Sequence, residues 1–286
     1  MKSILNIAGY KFVDLPDRDE LIQPFQAKCS KLHLKGTILL ANEGINFFLA
    51  GIEQAIDDFI VFLEQDQRFS NISLKKSWTE YQPFNRMNVR RKKEIISVGM
   101  DDIRPMDFTG PSISPHELKS MLDDKQPIHL LDTRNIYEMK IGTFDNAIDL
   151  EIDSFRAFPE AIRHLPSSMK TEPIVMFCTG GIRCEKASAI MMEAGFENVK
   201  QLEGGILGYF EAVGGDHWNG NCFVFDQRVA VNPTLEETGE VVCFACRTPL
   251  TIDEQQLPTY VLGKSCLYCA ETSPHLSQTT THVSSN

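Results

Sequence analysis

Apolar and polar positions alternate with a period of two over residues 3–13, which predicts a half-buried strand, and the period lengthens to that of a helix over residues 17–34. Residues 37–50 read as two strands around a turn at Asn42, Glu43 and Gly44. A second helix over 52–65 and a strand over 72–78 complete a β-α-β-β-α-β order. A new block opens at Ser114-Pro-His-Glu117, a capping box with proline at the first helical position, so a helix is predicted over 115–123. A strand over 128–132, a long crossover and a continuously apolar strand over 174–177 come next. A helix over 185–194, stopped at Gly195, leads to a last strand over 199–202. Strands that alternate with helices imply a largely parallel sheet covered on both faces.

These elements predict an α/β chain with an N-terminal ferredoxin-like (acylphosphatase-like) α+β domain over 1–82 and a central α/β domain with a parallel sheet over 114–218. A connector over 83–113 joins them, and a small Cys-rich segment over 219–270 follows. The remainder, 271–286, is Ser- and Thr-rich with almost no charge or apolar periodicity and is expected to be disordered, His275 and His282 being tail residues rather than ligands. The length of 286 residues suits two domains and an appendage. No stretch approaches the roughly 20 apolar residues that span a bilayer, and Met1-Lys-Ser-Ile-Leu-Asn6 lacks a signal-peptide layout. The expectation is a cytoplasmic protein with no membrane partner; nothing in the pattern sets an oligomeric state.

Charge changes the picture at one place. The formal net charge is -11, yet Phe84-Asn-Arg-Met-Asn-Val-Arg-Arg-Lys-Lys-Glu-Ile-Ile96 carries Arg86, Arg90, Arg91, Lys92 and Lys93, with Lys75 and Lys76 just upstream. Such a local inversion of sign is a candidate face for a phosphate backbone. The run alone reads equally as the solvated outer side of an extended segment.

The candidate chemistry lies in Ile174-Val-Met-Phe-Cys-Thr-Gly-Gly-Ile-Arg-Cys-Glu-Lys-Ala-Ser188, where a buried strand runs into a cysteine, a Gly-rich turn and a helix. The backbone N–H groups of Thr179, Gly180, Gly181, Ile182 and Arg183 can point into such a loop, and the helix adds its positive end. A thiol at Cys178 is therefore expected to ionise near neutral pH and act as a nucleophile, helped by Arg183. Protein tyrosine phosphatases close a similar ring with Cys-x5-Arg, whereas Cys178 and Arg183 form the shorter Cys-x4-Arg, which resembles the rhodanese loop and its persulfide-carrying cysteine. Ile128-His-Leu-Leu-Asp-Thr-Arg-Asn-Ile-Tyr-Glu138 agrees with that resemblance, with Asp132 and Arg134 as supporting residues. So does Ile141-Gly-Thr-Phe-Asp-Asn-Ala147, with Thr143 and Asn146 as departures from Ile-Gly-His-Phe-x-Gly-Ala, and so does Leu202-Glu-Gly-Gly-Ile206. Cys184 is either a resolving thiol or a packed residue of the first helical turn.

Eight cysteines in a chain of this kind point to catalysis or metal before disulfides. Cys243-Phe-Ala-Cys246 and Cys266-Leu-Tyr-Cys269, 19 residues apart, have the spacing of a zinc ribbon, each knuckle supplying two thiolates to one tetrahedron. Redox dithiols or disulfides are the rival reading. Cys29 and Cys222 remain without an assigned part.

The whole layout resembles one family, the TrhO-type (YceA-like) rhodanese-domain tRNA uridine hydroxylases. The matching stretches are Leu39-Leu-Ala-Asn-Glu-Gly-Ile-Asn46, Pro83-Phe-Asn-Arg-Met-Asn-Val-Arg-Arg-Lys-Lys-Glu-Ile95, the Asp132–Glu138 and Cys178–Ser188 runs, and Phe223-Val-Phe-Asp-Gln-Arg-Val-Ala-Val231. The resemblance implies a rhodanese domain over 114–218 and oxygen-dependent hydroxylation at C5 of the wobble uridine of tRNA, with Cys178 required. It also implies the tRNA anticodon region as partner, and dioxygen with a separate electron donor as co-reactants. None of the seven histidines stands in the His-x-Asp/Glu pattern of a non-haem iron triad, and no Gly-x-Gly-x-x-Gly flavin or NAD fingerprint is present. A thiolate or persulfide adding to C6 of uracil would make C5 electron-rich. The alternatives are a sulfurtransferase that takes a persulfide from a donor protein and passes it on, and a non-catalytic RNA-binding protein.

Overall fold

Strand β1 (Ile4–Phe12), helix α1 (Arg18–Lys31), strands β2 (Lys35–Ala41) and β3 (Gly44–Gly51), helix α2 (Glu53–Glu64) and strand β4 (Lys75–Thr79) follow the predicted order in a computed structural model that describes residues 3–270. The expected tail, with His275 and His282, lies outside the described residues. The strands pair antiparallel in the order β4-β1-β3-β2. Alternation sends Leu5, Ile7, Ile38, Leu40, Phe47 and Leu49 to one face, where they pack on Phe25 of α1 and on Ile56 and Phe59 of α2. Cys29 is part of this core, and burial pushes its thiol up to about 12.

The basic segment is more than a connector. Met87–Arg91 forms β5, a fifth strand parallel to β2, with Ile38 opposite Val89 and Leu39 opposite Arg90. Met87 and Val89 join the apolar core, so the strand's period of two divides the cations between two faces. Arg91 turns to the helix side, 3.2 Å from Asp19 of α1. Lys93 pairs with Asp101 at 2.8 Å. Arg90 and Lys92 remain on the face away from the helices.

The second domain runs through β6 (Ser112–Ile113), α3 (Pro115–Asp123), β7 (His129–Asp132), α4 (Ile136–Met139), β8 (Gly142–Phe144) and β9 (Ile148–Asp149). It continues with α5 (Phe158–Ala161), β10 (Ile174–Phe177), α6 (Ile182–Glu193), β11 (Val199–Leu202) and α7 (Gly205–Val213). The sheet β6-β11-β10-β7-β9 is parallel at every pairing. Leu131 and Met176 pack on α5 and α6 below it, while Leu130, Val175 and Phe177 pack on α3 and α7 above. Ser114 caps α3 by accepting the Glu117 N–H at 3.1 Å. Helix α6 starts three residues before its predicted start, directly after Gly181, whose φ of 100° ends the loop in a conformation that favours glycine.

The segment expected to be one Cys-rich unit divides in two. Strands β12 (Trp218–Gly220), β13 (Cys222–Phe223) and β14 (Ala230–Val231) cover the second domain, β12 pairing with β8. Strands β15 (Val241–Val242) and β16 (Pro249–Leu250) belong to the lobe that holds the two cysteine pairs. Cys222 is buried with β13, and burial pushes its thiol up to about 12.

The two domains are joined by buried charge. Lys186 of α6, fully enclosed, places Nζ 2.8 Å from Glu43 Oε2 at the β2–β3 turn and 2.8 Å from Glu94 Oε2 after β5. The carboxylates are otherwise satisfied by backbone: Glu43 accepts the Ile95 N–H at 2.7 Å, and Glu94 accepts those of Val98 and Gly99. Burial raises the pKa of Glu94, but hydrogen bonding from Lys186 and Val98 outweighs it and holds the carboxyl below its usual value. Arg228 Nη1, donating to Ser77 Oγ at 2.7 Å, adds a polar bridge on the other side.

Replacing Lys186 with Met leaves two acids without their cation in a dry interface and is expected to cost about 3–5 kcal/mol, measured by chemical denaturation. The depressed pKa of Glu94 means its contribution is complete above the unfolded carboxylate range and is lost as pH falls through the folded value. The gap between wild type and Lys186→Met should therefore narrow below about pH 4. A gap that persists unchanged into acid refutes the assignment.

Candidate active site

Cys178 follows the last residue of β10, at the carboxyl end of the central strand, where open α/β sheets place their ligands. Two helices shape the loop around it. The N–H groups of Ile206 and Leu207 at the start of α7 donate to the carbonyls of Cys178 and Thr179 at 2.9 and 3.0 Å, which turns the loop carbonyls outward. Gly205 at φ 60° permits this approach: a Cβ there would lie 2.4 Å from the Cys178 carbonyl oxygen. With its carbonyls held from behind, the loop aims N–H groups at the sulfur, and Gly181 donates to Cys178 Sγ at 3.1 Å.

Arg183 does less at the sulfur and more at the loop than the sequence suggests. Its guanidinium forms a buried fork with Glu138 of α4, at 2.5 and 2.8 Å, and Nη2 lies 3.3 Å from Thr179 Oγ1. Burial disfavours both charges, yet pairing keeps Arg183 charged and holds Glu138 below the usual carboxylate range. Asp132 and Arg134 form a second buried pair at 2.6 Å, extended by Arg134 to the Gly142 carbonyl and by the Thr143 hydroxyl to Asp132. Thr143, a departure from the rhodanese pattern, thus has a partner. Neither Asp132 nor Arg134 lines the cavity in front of Cys178; they brace β7 against β8.

Burial alone would raise the pKa of Cys178. It is overcome by a hydrogen bond from Cys184, by the Arg183 charge and by the N–H groups of Arg183 and Gly181, which together lower the value to about 6. Cys184 moves the opposite way: burial and the neighbouring Cys178 raise it well above the ordinary thiol range. It is a buried, protonated donor in the core under the loop, 3.7 Å from Thr133 Oγ1.

The first domain roofs the loop, a relation its strand pattern did not reveal. The sheet face away from α1 and α2 presents Ala8, Tyr10, Leu39 and Phe48 across from Cys178, enclosing a cleft of about 850 Å³, within the size range of small-molecule sites. Tyr10 donates to Glu185 Oε1 at 3.2 Å, and burial, with the charge of Glu185, raises its pKa so that the phenol stays protonated. Gly180 has open space where a side chain would stand, so the cleft reaches the loop backbone itself. Lys75 and Lys92 line the walls, and Phe84 and Phe225 stand at the mouth. Glu138 lay in a stretch singled out for its resemblance without being given a role. Phe225 likewise lay in a matching stretch without a role, and Tyr10 carried no local signal at all.

The four remaining site cysteines come together in the C-terminal lobe. Cys243, Cys246, Cys266 and Cys269 place their sulfurs within 4.8 Å of one another, a group able to hold a metal ion. The Cys246–Cys266, Cys266–Cys269 and Cys243–Cys269 separations are 3.5, 3.8 and 3.9 Å.

Comparison with known proteins agrees with this architecture. Residues 4–95 match the UPF0176 acylphosphatase like domain, and residues 114–212 match the rhodanese-like domain. A Cupriavidus metallidurans protein named tRNA uridine(34) hydroxylase is 52% identical over 275 residues, 94% of this chain and 98% of its own length. A Burkholderia cenocepacia protein of the same name is 48% identical over 278 residues, again 94% and 98% of the two chains. Among solved structures, a rhodanese-like domain from Anabaena sp. matches 38% of this chain and 79% of its own at 25% identity, with a TM-score of 0.32.

Labelling of Cys178 by iodoacetamide, followed by peptide mass spectrometry, should rise with pH through a midpoint near 6 and level off by about pH 7.5. Cys184→Ala removes a donor to the thiolate and should move the midpoint upward. A wild-type midpoint near the ordinary thiol value of about 8.5 would show that the loop does not stabilise the anion.

Proposed function

Because the chain belongs to the family of tRNA uridine(34) hydroxylases, we propose that it hydroxylates C5 of uridine 34 in tRNA, with the uracil held in the interdomain cleft against Cys178. The observation that carries this reading is a cysteine whose sulfur accepts the Gly181 N–H at 3.1 Å at the floor of a cleft of about 850 Å³. In the proposed reaction the Cys178 thiolate adds to C6, and the C5=C6 electron pair moves onto C5 and the O4 carbonyl. The electron-rich C5 takes one oxygen atom from dioxygen; the other leaves as water, using two electrons from a separate donor and two protons. Loss of the C5 proton then expels the thiolate and restores the double bond. A persulfide on Cys178 would present the same nucleophilic charge one sulfur further into the cleft. Arg183 and Glu138 position the loop, and its N–H groups stabilise the sulfur anion whenever it is free.

Arg90 and Lys92, on the sheet face away from the helices, are the cations assigned to tRNA phosphates, while Lys75 on the cleft wall lies 3.9 Å from Glu211. Arg91 and Lys93 face Asp19 and Asp101 instead, so the five-residue run does not act as one patch. No helix among the described residues is long and apolar enough to cross a membrane, and the proposed substrate places the enzyme in the cytoplasm.

Nucleoside mass spectrometry of tRNA from cells lacking the gene, complemented with wild type or Cys178→Ser, tests the reading. Wild type should restore 5-hydroxyuridine derivatives at position 34. Cys178→Ser should lower their formation by on the order of a thousand-fold or more, as removal of other enzymatic nucleophiles does. Undiminished modification by Cys178→Ser overturns the reading, and loss of thiouridine with hydroxylation intact would assign the loop to sulfur transfer.

The four-cysteine lobe fits a structural zinc, since tetrahedral bonds of about 2.3 Å require sulfur–sulfur edges of about 3.8 Å. One zinc per chain should co-purify and be absent from Cys243→Ser/Cys266→Ser, with easier proteolysis after residue 238. Metal-free wild-type protein with four freely reactive thiols in this lobe would remove zinc from the account.

A further inference from the structure

A second cavity leaves the cleft at its mouth. It is a shallow groove of about 580 Å³ that shares Thr37, Phe84 and Phe225 with the cleft and runs past Arg86 and Asn88 to Arg247 on the first cysteine knuckle. Its charges are arranged unequally. The two carboxylates along it are occupied within the protein: Asp226 is held by Arg228 at 2.5 Å, and Glu240 accepts from Thr238 and Asn221. Among the described residues, neither Arg86 nor Arg247 makes an ion pair, and both are exposed. Asp226 is neutralised by Arg228 and only Glu240 keeps its charge, so in a chain of net charge -11 the two unpaired arginines leave this groove with a local positive excess.

The junction of groove and cleft is aromatic. Phe225 is 47% exposed although Phe223 and Val224 before it are buried. Its ring is fixed edge-on against Phe223 at 5.1 Å and tilted against Phe48 at 6.4 Å, with the Arg183 guanidinium 5.9 Å away. The Asp226–Arg228 pair, tied to Ser77 of the first domain, holds the segment that carries it. A rigid, half-exposed ring between a cationic groove and a nucleophile has the form of a base-stacking platform.

We propose that this groove binds the single-stranded nucleotides flanking the target uridine, with Arg86 and Arg247 on phosphates and Phe225 stacking a base at the entrance to the cleft. The proposal rests on the hydroxylase reading and adds to it a substrate-binding part for the cysteine-rich lobe. Arg247, between Cys246 and Thr248 with φ 66°, is placed by the knuckle itself, so the lobe brings a cation to RNA that neither of the larger domains supplies.

The test compares full-length wild type with Arg86→Gln/Arg247→Gln, Phe225→Ala and Phe225→Tyr, using unmodified substrate tRNA. The double variant should bind about ten-fold more weakly or worse, with a slope of log affinity against log salt shallower by about 1.4, the value for two single-strand phosphate contacts. Phe225→Ala should lose about ten-fold in hydroxylation kcat/KM, and Phe225→Tyr, which keeps the stacking face, should recover it. Iodoacetamide labelling of Cys178 at pH 7 should be unchanged in the double variant, which excludes misfolding as the cause of weak binding. If the double variant and Phe225→Ala match wild type in binding, salt slope and kcat/KM while Cys178→Ser is inactive, the groove proposal fails and the hydroxylase reading stands. If wild type itself neither binds nor modifies tRNA, both fail together.

Discussion

Lys186 is the constraint on which the rest of the structure depends. An ammonium group removed entirely from water is stable only if anions replace its hydration, and here they come from two places outside its own domain, Glu43 and Glu94. Each charge lies in a different one of the three stretches 39–46, 83–95 and 178–188. Those stretches are far apart in the chain, and their meeting point is one nitrogen. The ion group fixes how the first sheet sits over the second domain, because a displacement of one or two ångströms would strand a buried charge. The cleft in front of Cys178 is a consequence of that docking.

Beneath the roof, the site separates holding from chemistry. The buried pairs Arg183–Glu138 and Arg134–Asp132 cross between elements of the second domain and keep the loop in one shape. The fork with Glu138 offsets part of the Arg183 charge, and the thiolate draws on short-range donors beside that charge: the thiol of Cys184 and the N–H groups of Arg183 and Gly181. Such donors act only at the sulfur. They can lower the pKa of a fully buried cysteine without making the pocket strongly cationic, which suits an enzyme that must admit a neutral uracil.

In the proposed reading, attraction for a polyanion is left to the rim. The chain as a whole is acidic, and several of its cations are already committed to carboxylates at close range, as Arg91 and Lys93 are. Among the described residues, Lys92 on the cleft wall and Arg86 and Arg247 along the groove make no ion pair. A net charge of -11 therefore says little about this surface, since what a nucleic acid meets within a Debye length of about 10 Å is the local arrangement.

Much of the fold and the centre of the site were legible in the chain because they rest on local rules. Period-two and period-3.6 patterns located the strands and helices, Ser114 and Glu117 marked a helix start, and the glycines after Cys178 marked a loop that turns an N–H onto the Cys178 sulfur. Two Cys-x-x-Cys pairs marked a lobe. The partners were not legible. Alternation shows that β1 has a second face, but not that Tyr10 on this face lies over a loop more than 160 residues away. A run of five cations does not disclose that the strand's own pleat sends Arg91 to the helix side and Arg90 to the opposite face. Nor does Phe225 differ in sequence from a core phenylalanine. Backbone preference and amphipathic period act between neighbours in the chain, so the sequence determined the elements and the reactive loop. Which faces meet depends on burying charge and apolar area between distant segments, and so only the tertiary structure decided what covers Cys178.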